Sequence, residues 1–200
     1  MPKDRLAAFT DAILAIIMTI LVLELEKPAE PSFAAVWALR QSMFSYVISF
    51  FWLGAMWVNL HGQWNRVDRI DNRVVWWSVI MLFFASLIPY VTDFVGRNYM
   101  NRFAQGCYLV VVLCVSLANI ALNRAVGRAN PDDTAFAAEV RAVDKIMWID
   151  IGIKCLGFIL SMTVYPPLAM IFVIVAGVLP TTISHIQQKQ NHSIETEETI

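Results

Sequence analysis

Charged residues are scarce in this chain of 200 residues: only 16% of positions are Asp, Glu, Lys or Arg, whereas 58% are apolar. The net charge of -1 provides no basic surface of the kind that nucleic acid requires, so no nucleic-acid partner is expected. The three cysteines, Cys107, Cys114 and Cys155, lie in apolar runs without a CxxC or metal-ligand spacing, so neither a metal nor a redox role is expected. No nucleophile–base pair or phosphate-binding loop is recognisable, so the sequence indicates neither an enzyme nor a cofactor.

The abundant residues are apolar and aromatic, with seven Trp, twelve Phe and a mean hydropathy of +0.58. This composition predicts an all-α integral membrane protein that crosses the lipid bilayer several times. A spanning helix needs about 20 mostly apolar residues. Six such stretches are predicted, at about 9–25, 41–60, 74–91 (with Pro89 near its far end), 103–122, 146–164 and 168–186. With no internal repeat or linker, 1–186 is predicted to form one domain, followed by a polar, disordered tail at 187–200.

A short soluble or interfacial helix is predicted at 134–143, within the longest polar connection. The distribution of Lys and Arg predicts the orientation, because these residues are enriched in cytoplasmic segments. If the N-terminus is cytoplasmic, ten of them lie in cytoplasmic segments and four in outer ones. Six spans then place both termini in the cytoplasm.

The first span contains no charged residue at 12–23, and Thr19 is its only polar residue there. On an α-helix several of its residues share one face. They are Ile13, Ile16, Ile20, Leu23 and, less centrally, Thr19. Asp11 lies on nearly the opposite side, so we hypothesise a pore on the Ile/Leu side and a partner helix on the Asp11 side. The alternative is that the stripe simply packs against lipid or another helix.

A carboxylate at membrane depth is costly unless it is paired. Candidate donors to Asp11 are Asn59, His61 and Trp64, near the inner end of the second span. Such pairing indicates that Asp11 and its donor form a polar clamp, which positions the first helix. Ions would then pass on another side of this helix.

Two further pairs of charged residues have two interpretations each. Glu24 and Glu26 either attract cations to an outer pore mouth or are solvated boundary residues. Asp150 and Lys154, spaced i, i+4 in the fifth span, are expected to neutralise each other, as a structural pair or as a proton relay. A haem protein is disfavoured because the histidines do not face one another at membrane depth.

The residues from Arg5 to Asp11 read R-x-x-x-F-T-D and are followed by AILAIIMTILVLEL. This stretch resembles the signature first helix of the lysosomal potassium channel family, transmembrane protein 175, in its bacterial six-helix form. The similarity continues from Trp57 to Asp68 and through 71–76 and 87–92. Thr10 stands where the family usually has Ser, which keeps a hydroxyl. Ala12 stands where Gly is frequent, which bears on how closely a neighbouring helix approaches.

The resemblance implies a potassium-permeable cation channel in a bacterial plasma membrane, assembled as a homotetramer with the first helices around a central pore. By position, Ile16 corresponds to a hydrophobic constriction and Thr19 to a hydroxyl layer one turn further, and Ile20 and Leu23 continue the lining. The polar network behind this helix corresponds to Arg5, Phe9, Thr10, Asp11 and His61, to which we add Trp64 and Asp68 from the same sequence segment. The chain shares with the family the absence of a TVGYG filter. A secondary transporter of a small cation or solute is the alternative function, although the sequence shows neither repeats nor an interrupted helix.

Overall fold

A computed structural model describes residues 2–67, 69–132 and 134–177, except for the side chains of Arg66 and Ala135. Within these ranges the regular structure is entirely helical. The helices are α1 Lys3–Leu23, α2 Phe33–Ala38, α3 Arg40–Arg66, α4 Asn72–Ser86, α5 Ile88–Arg97, α6 Arg102–Ala129, α7 Thr134–Thr163 and α8 Leu168–Gly177. The predicted tail at 187–200 lies outside the described residues.

Five helical segments are long and apolar enough to cross a membrane. They are Lys3–Leu23, Arg40–Asn65, Asn72–Arg97, Arg102–Ala129 and Phe136–Thr163. The prediction of an all-α membrane protein is therefore confirmed. The sixth predicted span, 168–186, begins with the apolar helix α8 and continues beyond the described residues, so the sixth crossing stays a prediction.

The third predicted span, 74–91, is wrong in its bounds and in the position of Pro89. The helical segment runs from Asn72 to Arg97 and is divided at Leu87 into α4 and α5. Pro89 lies in the first turn of α5, where the missing N–H is tolerated. Proline therefore marks a break in the middle of this span, not its end.

The predicted separate helix at 134–143 is also wrong, because it is the first part of the 30-residue helix α7. Two interactions hold this part against α6. The guanidinium of Arg124 binds the Asp144 carboxylate with two hydrogen bonds, of 2.8 and 2.9 Å, and lies over the Trp148 ring. The Asn123 amide donates to the carbonyl of Val140. The charge of Asp144 belongs to the segment that the sequence predicted as a polar connection. In the structure it is paired with Arg124 of α6, and α7 continues through this position without a break.

Other helix bounds differ from the prediction for local reasons. Helix α1 begins at Lys3, because residues 3–8 are mostly good helix formers, and it ends at Leu23. Helix α3 extends six residues beyond the predicted end at 60, and α6 extends seven beyond 122. Helix α2 was not predicted; the Ser32 hydroxyl caps it by accepting a hydrogen bond from the Ala35 amide.

The two ends of the bundle are defined by contacts between helices. At the proximal end, where α1 begins, the Lys3 ammonium donates to the Val67 carbonyl at the end of α3. Also at this end, Gln63 of α3 donates to Asn123 of α6. The distal end is where α1 and α5 finish, and there Arg97 binds Glu26. Helix α1 runs between the two ends, packed against α3, α4 and α5.

Candidate functional site

Helix α1 has two contrasting faces. One face is buried against the bundle, and its residues are Leu6, Thr10, Leu14, Ile17 and Leu21. The other face carries a line of exposed residues at alternating spacings of four and three, namely Arg5, Phe9, Ala12, Ile16, Thr19 and Leu23. This heptad-like spacing keeps the line on one side of the helix over its whole length. The subunit therefore leaves a continuous face of α1 uncovered.

The predicted stripe falls mainly on this uncovered face. Ile16 is 57% exposed and Leu23 is 78% exposed, and Thr19 is exposed between them. Ile20 is half-buried at the edge of the line. Among the described residues no other helix covers Ile16, so this side of α1 is open in that part of the chain.

The Thr19 hydroxyl donates a hydrogen bond to the carbonyl of Ile16 over 2.7 Å. Its hydrogen is thereby occupied, which leaves the lone pairs of the oxygen available to accept hydrogen bonds or to bind a cation. Thr19 thus presents an oxygen one turn away from the apolar Ile16 side chain.

Asp11 lies about 140° around α1 from Ile16 and faces α3. Its carboxylate accepts a 2.9 Å hydrogen bond from the indole nitrogen of Trp57, and the Trp57 ring packs on His61 at a centroid distance of 5.6 Å. A partner helix on the Asp11 side was predicted, and α3 is that helix. Trp57 was not among the predicted donors Asn59, His61 and Trp64. The sequence indicated Trp57 only by its position in the same segment.

The structure gathers only part of the predicted polar network. Arg5 and Phe9 lie on the exposed line, away from Asp11. The Thr10 hydroxyl is buried and donates to the Leu6 carbonyl within α1. The Trp64 side chain is buried, and its indole nitrogen has no hydrogen-bond partner in the described part of the chain. Asp68 lies outside the described residues.

We expect Trp57→Phe to lower the stability of the protein by about 0.5–1.5 kcal/mol, because it removes one hydrogen bond but keeps an aromatic ring beside His61. Thermal unfolding of detergent-purified protein measures the loss. Trp76→Phe, at an exposed Trp on α4, is the matched control and should change little. In a double-mutant cycle with Asp11→Ala, the two effects should be non-additive; additive losses would contradict the pairing.

At the distal end, the acidic residues that follow α1 differ in their surroundings. Glu24 is exposed. Glu26 forms an ion pair with Arg97, which also binds Asp93 at 2.8 Å. Because Arg97 neutralises part of this charge, the distal end is less acidic than the sequence of α1 alone indicates.

The predicted pairing of Asp150 and Lys154 is confirmed. The Lys154 ammonium is 2.6 Å from the Asp150 carboxylate and donates at 2.7 Å to the Ser116 hydroxyl. It also lies 5.3 Å from the centre of the Trp52 ring. The Lys154 side chain is almost completely buried, and its three neighbours belong to α3, α6 and α7.

Comparison with known proteins connects these features to a family. Residues 5–89, which include α1 and the Asp11–Trp57 contact, match the family described as endosomal/lysosomal potassium channel TMEM175. The fold is similar to the crystal structure of a lysosomal potassium-selective channel TMEM175 homolog from Chamaesiphon minutus, with a TM-score of 0.78 and 25% sequence identity. That alignment covers 91% of this chain and 97% of the other. Over residues 5–89 the chain is therefore similar to the TMEM175 family.

Curated relatives extend the similarity over most of the chain. A potassium channel of Chryseobacterium sp. strain P1-3 is 29% identical over 172 residues, which cover 86% of this chain and 88% of that protein. A potassium channel of Chamaesiphon minutus is 28% identical over 171 residues, which cover 78% and 83%. The similarity therefore extends beyond 5–89 into the half of the chain for which the sequence offered only hydropathy.

Proposed function

We propose that the chain is a potassium-permeable cation channel in which four subunits surround a central pore lined by α1. The observation that carries the proposal is the exposed line of α1, since Ile16 and Thr19 point away from the helices of their own subunit. A closed ring of identical subunits can cover this face symmetrically, because every copy offers the same surface. The potassium channels among the curated relatives support K⁺ as the permeant ion.

In this proposal Ile16 forms the constriction. A ring of Ile side chains obstructs ions by excluding water or by demanding that the ion shed part of its hydration shell. Thr19 then forms the next layer, where hydroxyl oxygens replace some of the lost water. Ile20 and Leu23 continue the lining, and Glu24 with the partly neutralised Glu26 attracts cations at the distal mouth. The clamp between Asp11 and Trp57 holds α1 in place from behind.

We also propose that residues 1–186 form one six-helix domain in a bacterial plasma membrane, with both termini in the cytoplasm. The excess of Lys and Arg at the proximal end supports this orientation. The relatives come from bacteria, which supports the location.

Ion flux tests the proposal. Liposomes that are loaded with K⁺ and contain the purified protein should release K⁺ down its gradient without transport of a second solute. In a separate measurement, light scattering of the detergent-purified protein should give a mass of four subunits per particle. Protein-free liposomes are the control. Obligatory exchange at a fixed stoichiometry would instead establish the secondary transporter, and a monomeric particle would contradict the pore between subunits.

A further inference from the structure

A partly open cavity of about 70 Å³ lies between α3, α6, α7 and α8. On α3 its wall is formed by Trp52, Met56 and Asn59, which are spaced three or four residues apart and therefore share one face. Trp57, which binds Asp11 of α1, lies about 140° around α3 from Trp52 and about 160° from Asn59. The cavity is therefore on a different side of α3 from the contact with Asp11.

Several polar groups converge on this cavity. The wall includes Ser116, Asp150 and Lys154, which are joined by hydrogen bonds, and the amides of Asn59 and Asn119. Among the described residues these two amides have no hydrogen-bond partner, and neither does Oδ1 of Asp150. Asn119 is half-buried and Asn59 is exposed, so the bundle does not enclose either amide completely. The wall of the cavity thus offers hydrogen-bond donors and acceptors to a molecule that enters it.

The charge of the wall limits the class of ligand. Lys154 and Asp150 neutralise each other, and the other helices contribute no titratable side chain to the cavity wall in the part of the chain that the structure describes. A bound cation or anion would add an unpaired charge between the helices, which is costly. An uncharged molecule with donors and acceptors satisfies the amides and leaves the ion pair intact. The volume is sufficient for several waters or one molecule of a few heavy atoms.

A sequence of polar side chains connects the cavity with the proximal end. The hydrogen-bonded pair Gln63–Asn123 lies there, and Asn59 and Asn119 follow one turn further along α3 and α6. Asn59 is exposed on the subunit surface. These side chains form a line of polar groups that leads from the proximal end toward Lys154.

We infer that this cavity is a hydrated binding pocket, separate from the α1 pore, that admits water and small uncharged hydrogen-bonding molecules from the proximal end. The inference does not rest on the proposed ion conduction, because none of the cavity wall belongs to α1.

Cysteine reactivity tests the pocket. In a background in which the native cysteines are replaced by serine, Asn119→Cys is treated in liposomes with the uncharged reagent 2-hydroxyethyl methanethiosulfonate, and the remaining thiols are counted after denaturation. Only the thiolate reacts, and it forms where water solvates it. We expect Asn119→Cys to react within about tenfold of the rate at Asn65→Cys, an exposed position at the proximal end.

Leu117→Cys is the matched control, because Leu117 is exposed on the outer side of α6 about 3 Å along the helix from Asn119. It should react at least about a hundredfold more slowly, since its thiol faces lipid and stays protonated. Adding Ala55→Leu, which fills the cavity from α3, should slow Asn119→Cys about tenfold and leave Asn65→Cys unchanged. Equal rates at positions 119 and 117, or no effect of Ala55→Leu, would overturn the inference. Val115→Cys, at a buried position of the cavity wall, replaces Asn119→Cys if the latter is not recovered as a monodisperse particle.

Discussion

Ile16→Asn is expected to raise K⁺ flux through liposome-reconstituted protein by at least about tenfold, equivalent to a barrier lowered by about 1.4 kcal/mol. The expected cause is hydration: an amide ring admits water where an Ile ring excludes it, so the ion sheds less of its shell. Discrimination against Na⁺ should fall at the same time, because in the proposed pore selectivity derives from partial dehydration of the ion. Flux under matched K⁺ and Na⁺ gradients measures both effects.

The control is Ile159→Asn, since Ile159 lies on α7 and is exposed to the same extent, 57%, as Ile16. It introduces the same amide on a face that is not part of the proposed pore. Its flux and its preference for K⁺ should equal those of the unmodified protein. If the two variants behaved alike, or if Ile16→Asn left both quantities unchanged, Ile16 would not be the constriction.

Lys154→Met should produce the largest loss of stability, about 3–5 kcal/mol, because it leaves the buried Asp150 carboxylate without its ammonium partner. The long apolar side chain of Met keeps most of the packing against Trp52, so the effect reports charge more than volume. Thermal unfolding in detergent and the yield of monodisperse protein measure it.

Replacing both partners distinguishes a structural pair from a proton relay. In Lys154→Met/Asp150→Leu the unpaired charge is gone, and stability should return to near that of the unmodified protein. If the pair is structural, ion flux should also be restored. A stable double variant without flux would show that the titratable groups themselves are required.

The faces of α1 illustrate what the sequence reveals. Because side chains on a helix repeat every 3.6 residues, the spacing of Ile16, Thr19 and Leu23 was sufficient to place them on one side and Asp11 on another. The pairing of Asp150 with Lys154 was predictable for the same reason, since both partners lie on one helix one turn apart. Local periodicity therefore gave the most reliable predictions.

Contacts between distant segments were not predictable in this way. Trp57 rather than His61 or Trp64 binds Asp11, because the choice depends on how α3 is rotated against α1. The same holds for Glu26 and Arg97, which are 71 positions apart. Polar residues around Asp144 indicated a loop, whereas their partners on α6 allow α7 to continue as one helix. Each of these outcomes is set by tertiary packing.

The unbroken helix α7 has a mechanical consequence. Its 30 residues extend over about 45 Å, whereas the hydrocarbon layer is about 30 Å thick, so roughly three turns extend beyond that layer. Because Arg124–Asp144 and Asn123–Val140 tie these turns to α6 and no break separates them from the rest of α7, a force applied at the proximal end would move α6 and the Asp150–Lys154 pair together.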